Sequence, residues 1–173
     1  MNVLNTDQCA ESLISRANKV LPAGSFGNMP GDIVLERGKA GRVWDINGTE
    51  YVDFLLGSGP MFVGHAHPDV TKAITGQAPQ GTTFFANNQY GIKLAEEICE
   101  AMVCADQLRF VSSGSEATLY AMRLARAYRK RDKILKFEGG YHGMSDYSLM
   151  SLAPPRLANY PQALPDSAGI PKQ

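Results

Sequence analysis

Cysteine is scarce in this sequence. Cys9, Cys99 and Cys104 are odd in number and no two form a C-x-x-C pair. That spacing argues against a disulfide framework or a thiolate metal site and leaves buried, reduced thiols as the expected state. An excess of charge of one sign is also missing, because 17 basic and 17 acidic residues cancel to a net charge of zero. With no basic patch carrying interleaved aromatics, a general attraction to nucleic acid or to an anionic membrane surface is not expected. No apolar run reaches membrane length. Asp7 and Glu11 stand where a signal peptide would need an apolar core, so the expected compartment is the cytoplasm. Histidine is limited to three residues. His65-Ala66-His67 with Asp69 has a chelating look, but Gly64 and Pro68 favour a turn leading into a helix, and three histidines are few for a supported site. No metal is expected.

What remains is the composition of a globular protein, 44% hydrophobic and 20% charged over 173 residues, enough for one ordinary domain and short for two. From about Thr6 to Leu21 the apolar residues Leu13, Ile14, Ala17, Val20 and Leu21 recur at helical spacing, and Pro22 with Gly24 ends the run. Gly24 to Gly31 is a glycine- and proline-rich stretch with the length of a binding loop. Short strands are expected at Ile33–Leu35, Arg42–Asp45 and Tyr51–Phe54, with Asn47-Gly48 as a hairpin turn between the last two. Residues 1–67 thus read as an N-terminal segment of helix, loop and small antiparallel sheet.

From Pro68 the pattern changes, and residues 68–173 read as the first part of a second, larger domain. Helices are expected at Asp69–Gly76, Tyr90–Met102 and Ser115–Tyr128, the last burying Ala117, Ala121, Leu124 and Tyr128. Strands are expected at Leu108–Val111 and Lys133–Phe137. Strand, helix and strand within about thirty residues describe a right-handed βαβ crossover and the beginning of a parallel sheet. Ala153 to Gln173 is proline-rich and offers neither strand nor helix, so the chain has the look of an unfinished α/β domain.

Two segments carry the chemistry. Phe110-Val111-Ser112-Ser113-Gly114-Ser115-Glu116-Ala117 is a strand running into a helix N-terminus, where free N–H groups and the helix dipole favour an anion. Gly114 lets the backbone approach a phosphate, and the Ser113 and Ser115 hydroxyls add donors. Ser113-x-x-Glu116 is also a capping box that needs no ligand, and the two roles are compatible. There is no P-loop and no dinucleotide fingerprint. Gly139-Gly140-Tyr141-His142-Gly143 follows the next strand. At the carboxyl ends of parallel strands, Tyr141 and Ser113 would face one crevice. Tyr141 could stack on a planar ring, and His142 could hydrogen-bond or move a proton beside it.

These segments, in this order, resemble the class III branch of the pyridoxal-phosphate-dependent aminotransferases, nearest to glutamate-1-semialdehyde 2,1-aminomutase and its relatives. The resemblance is carried by Trp44-Asp45, Gly48 to Phe54, Gly59-Pro60, Gly64 to Pro68, Gly81 to Phe84, Arg109 to Val111 with Ser113 to Ala117, Arg123 to Arg126, and Arg131 to Gly139 leading into Tyr141-His142-Gly143. It implies the fold type I architecture, present here incompletely, and a homodimer with active sites at the subunit interface. It also implies pyridoxal 5'-phosphate as cofactor, held at its phosphate by Ser113, Gly114 and Ser115, with Tyr141 on the ring and His142 beside it. An amino donor and a carbonyl acceptor would be the substrates.

The departures from the family pattern are specific. Pro30 stands where the aminomutase has an arginine, Ser58 where the family has a tryptophan, and Ser112 where it has an asparagine. The first two touch substrate recognition and favour a related aminotransferase. The resemblance also puts the Schiff-base lysine, and the acidic partner of the pyridine nitrogen, past Gln173. No catalytic residue is therefore assigned, and the expectation is the N-terminal portion of a transaminase that is inactive by itself. Two other readings compete: a non-catalytic phosphate-binding module, and a metal-dependent hydrolase built on His65, His67 and His142.

Overall fold

The computed structural model describes residues 9–27, 29–152 and 163–171. Backbone contacts group the chain into two units, Met1–Ala86 and Asn87–Gln173, and each is described by itself. Among the described residues no helix is long and apolar enough to cross a membrane.

In the first unit, helix α1 spans Ala10–Val20 and ends where Leu21 turns extended before the Pro22–Gly24 turn. The expected start at Thr6 lies outside the described residues. A three-stranded antiparallel sheet follows, in the order β1 (Leu35–Lys39), β2 (Arg42–Asp45), β3 (Glu50–Val52). The β1–β2 register pairs Arg37 with Trp44, and a bulge separates Arg37 from Leu35. The Arg37 guanidinium lies 3.8 Å above the Trp44 ring, a cation–π contact that ties the two strands together. Gly48 adopts φ +84° in the β2–β3 turn, the conformation that Asn-Gly turns exploit. The first strand sits later than Ile33–Leu35. Leu-Glu-Arg-Gly-Lys has no apolar alternation, and pairing with β2 rather than its own pattern makes it a strand. The third stops at Val52 because the Asp53 carboxylate accepts the N–H groups of Leu55 and Leu56 at 2.8 and 3.0 Å, turning the chain off the sheet. Helix α2 covers Pro68–Gln77, with proline at its first position.

Two carboxylates organise this unit. Asp45, 7% exposed, accepts from Asn47 N–H at 3.0 Å, Thr49 N–H at 2.8 Å and the Tyr51 hydroxyl at 3.1 Å. Burial pushes its carboxyl up, but the hydrogen bonds from Thr49, Tyr51 and Asn47 outweigh that and hold it below the ordinary value. Asp53 accepts His65 Nε2–H at 2.7 Å, and chiefly for that reason it too lies below the usual carboxylate range. His65 in turn exchanges both backbone hydrogen bonds with Ala40, each 2.8 Å. A carboxylate with a depressed folded pKa contributes stability above its unfolded value, near about 3.9, and that contribution is lost as pH falls through the folded value. Trp44 is the only tryptophan and sits next to Asp45. Its emission on acid titration is therefore expected to hold steady to about pH 4 and change below it. In Asp45→Asn that acid-dependent step should shrink, and an unaltered profile would contradict the assignment.

In the second unit, α3 spans Gln89–Ala101 and is capped by Asn88, whose Oδ1 accepts Gly91 N–H at 2.9 Å. Helix α4 spans Gly114–Arg129 and ends at Lys130 in the left-handed conformation. The expected parallel strands are not formed: among the described residues neither 108–111 nor 133–137 joins a ladder. A strand exists through its partner, and α4 here joins two segments with no neighbouring strand. Leu135 and Phe137 are both 89% exposed. Ala117, Ala121, Leu124 and Tyr128 on α4 are likewise exposed rather than buried, because among the described residues of this unit α4 packs on no other helix or strand. Val43 is the one buried hydrophobic residue among those described. Cys9 and Cys104 are exposed and Cys99 half-buried, all three as free thiols, so the expected burial of the thiols does not hold.

Candidate functional site

The N-terminus of α4 is built by its own side chains. Ser113, at the N-cap, accepts Glu116 N–H on Oγ at 3.2 Å. Glu116 Oε2 accepts the N–H groups of Ser112 at 2.7 Å and Ser113 at 3.1 Å. The capping box is thus complete. It leaves the N–H groups of Gly114 and Ser115, the first two of the helix, with no hydrogen bond among the described residues, as the start of a helix requires. An ideal Cβ on Gly114 would meet nothing within 4 Å, so no side chain or backbone crowds that point of the helix start. Capping and anion binding therefore use different groups of one turn.

The 139–144 turn closes directly on that helix end. Thr118 Oγ1 lies 2.6 Å from the His142 carbonyl oxygen, and Met144 N–H donates to Ser115 Oγ at 3.1 Å. Having accepted that bond, the Ser115 hydroxyl keeps its own proton for a ligand. Gly143, at φ +90°, lies so near that a Cβ there would sit 2.6 Å from Ser115 Cα. His142 Nδ1 is 2.7 Å from the Gly140 carbonyl oxygen. A carbonyl can only accept, so Nδ1 carries the proton of this bond and Nε2 is left for another partner. Tyr141 is 65% exposed, with a ring face available for stacking. Ser113, Gly114, Ser115 and His142 are thus gathered in one place by the second unit, and Tyr141 is one residue from the anchored carbonyl. Thr118 and Gly143 belong to this arrangement and were not among the residues picked out by pattern. Thr118 is at a helical position where its hydroxyl ordinarily bonds back to its own helix, so local sequence carries no signal of the longer contact.

Lys136 lies close by in the chain, but its ammonium donates to the carbonyl oxygens of Ser148 and Met150. It is a structural tie between the 133–137 segment and the chain that follows the turn. His65 is taken by Asp53, His67 precedes α2 with Nδ1 buried and unpartnered, and among the described residues no group of three His, Cys, Asp or Glu side chains could hold a metal ion.

Comparison with known proteins places the chain as a whole. The profile of the aminotransferase class-III family matches residues 24–169. Among solved structures, an omega-transaminase from Sphaerobacter thermophilus is 33% identical with a TM-score of 0.84, over 96% of this chain and 40% of that one. A transaminase with PLP bound is 31% identical with a TM-score of 0.83, over 98% and 40%. A glutamate-1-semialdehyde-aminomutase from Pseudomonas aeruginosa PAO1 is 27% identical with a TM-score of 0.73, over 92% and 35%. The chain therefore spans about 40% of the length of the transaminases it matches. Its helices and small antiparallel sheet correspond to the N-terminal part of the fold type I transaminases, enzymes of a family that uses pyridoxal 5'-phosphate. With most of its length matched in order, from the loop at Gly24 through the turn at Tyr141 to Gly169, the chain belongs to the class III aminotransferases.

Proposed function

We propose that this chain supplies the phosphate-gripping and ring-facing part of a pyridoxal-phosphate-dependent aminotransferase that moves an amino group between an amino compound and a keto acid or aldehyde. The observation that carries this reading is the closure of the 139–144 turn on the N-terminus of α4, through Thr118 to His142 and Met144 to Ser115. Gly114 N–H, Ser115 N–H and the Ser115 hydroxyl would donate to the phosphate, where the positive end of the helix dipole also acts. Ser113 would hold the loop in shape through its cap. Tyr141 would lie on the ring, and His142, oriented by Gly140, would stand beside it. When bound, the cofactor supplies an electron sink for the substrate carbon that loses a proton. The protein's part is to grip, orient and shield.

Pro30, where the aminomutase has an arginine, and Ser58, where the family has a tryptophan, touch substrate recognition and favour a related aminotransferase over the aminomutase. The nucleophilic lysine is assigned to no residue of this chain: Lys136 is committed to two carbonyl oxygens. A homodimer completes the proposed enzyme.

The test is a calorimetric titration of the chain with pyridoxal phosphate and with pyridoxal. The phosphate ester is expected to bind at least about tenfold tighter, since two or more charge-assisted hydrogen bonds are at stake. Equal affinities would overturn the reading. Borohydride reduction followed by mass spectrometry should find no specific lysine adduct, and one on Lys136 would overturn the assignment of that residue.

A further inference from the structure

We propose that Thr118 is a positioning residue that fixes the span between the anion cradle and the aromatic turn, so that a ligand carrying both a phosphate and a flat ring meets both at once. The proposal deepens the cofactor reading above and rests on it.

The argument begins with one proton and three acceptors. Thr118 Oγ1 lies 3.1 Å from the Gly114 carbonyl oxygen, 3.1 Å from that of Ser115 and 2.6 Å from that of His142. A threonine in the first turns of a helix ordinarily bonds back to the third or fourth residue before it. Here both of those carbonyls are in reach, yet the shortest contact is to a residue 24 positions further on. A hydroxyl donates once, and it donates across the gap. The bond pins the backbone at His142, next to Tyr141 on one side and Gly143 on the other.

Two further contacts hold the same approach. Met144 N–H reaches Ser115 Oγ, and Gly143 has no side chain where a Cβ would strike Ser115 at 2.6 Å from Cα and 2.7 Å from Oγ. The free donors belong to Gly114 and Ser115, one turn before Thr118 on the same rigid helix. The helix therefore acts as a ruler: its N–H groups set where the phosphate sits, and Thr118 sets where the backbone of Tyr141 and His142 sits. Thr118 touches no part of the ligand in this scheme and acts through the His142 carbonyl. Preorganising two recognition elements at a fixed separation matters only to a ligand that engages both.

The experiment compares two ligands on one protein. Thr118→Val keeps the side chain's shape and removes the donor. Its dissociation constant for pyridoxal phosphate is expected to rise about five- to tenfold, while that for inorganic phosphate stays within about twofold of the unsubstituted chain. Thr118→Ser, which keeps the hydroxyl, should restore the ratio. Parallel losses for both ligands, or no change for pyridoxal phosphate, would overturn the proposal. If Thr118→Val loses its helical circular dichroism, Thr118→Ala, which also lacks the donor, is titrated with the same two ligands and the same outcomes decide. A wild-type chain that does not distinguish pyridoxal phosphate from pyridoxal overturns the cofactor reading itself, and the proposal falls with it. That result is distinct from any behaviour of the variants.

Discussion

Gly143→Ala is expected to weaken binding of pyridoxal phosphate about a hundredfold while leaving the helical circular dichroism near its original strength. Two costs fall on the same atom. At φ +90° an L-side chain is strained, at a cost of about 1–2 kcal/mol. The added Cβ would also lie 2.6 Å from Ser115 Cα, which is helix backbone and cannot swing aside. Relief requires the turn to lift off α4, at a cost comparable to the ~1–3 kcal/mol of overpacking. Lifting the turn separates His142 from Thr118 and Met144 from Ser115, and so removes the aromatic side of the cradle. The helix keeps its cap, because Ser113 and Glu116 do not depend on the turn. Titration with pyridoxal phosphate, alongside circular dichroism, checks both halves. Undiminished affinity would mean that the close approach of Gly143 has no part in binding.

Gly64→Ala is expected to have the largest effect in the first unit. Gly64 is at φ +85°, and a Cβ there would lie 2.9 Å from Ala40 Cα and 3.0 Å from its carbonyl carbon and oxygen. All three are backbone, beside the paired hydrogen bonds of Ala40 and His65. Moving residue 64 away draws His65 from Ala40 and loosens its contact with Asp53. Hydrogen exchange at the Ala40 and His65 amides should accelerate on the order of a hundredfold, since the strain and overpacking together reach several kcal/mol. Gly59→Ala is the control. Its φ is +109° but a Cβ there meets nothing within 4 Å, so it carries the dihedral cost without the collision. Equal acceleration in both variants would show that the approach to Ala40 is unimportant.

How far these features could be read beforehand depends on the range over which each is determined. Helices α2, α3 and α4 follow from local period and local caps, and each was legible to within about two residues. The β2–β3 turn was legible because Asn47-Gly48 decides it on the spot. The first strand was not, because its residues are polar and its partner supplies the reason for it. The segments 108–111 and 133–137 misled in the opposite direction, having strand composition and no ladder. Ser113, Gly114 and Ser115 could be found as a helix start, since capping chemistry is written in adjacent residues. Asp45 could have been found the same way: an aspartate two residues before Asn-Gly is an Asx-turn signal. The pairings of Asp53 with His65 and Thr118 with His142 span 12 and 24 residues, and no local pattern announces either.

The completeness of the capping box has a kinetic meaning. A helix start held by its own serine and glutamate does not wait for an anion to order it, so little conformational entropy is lost when one arrives. Encounter then needs no folding step, and association is governed by diffusion and by the field at the helix end. Differences in residence time among variants of this cradle would arise in dissociation, where the grip of Gly114, Ser115 and the turn is released.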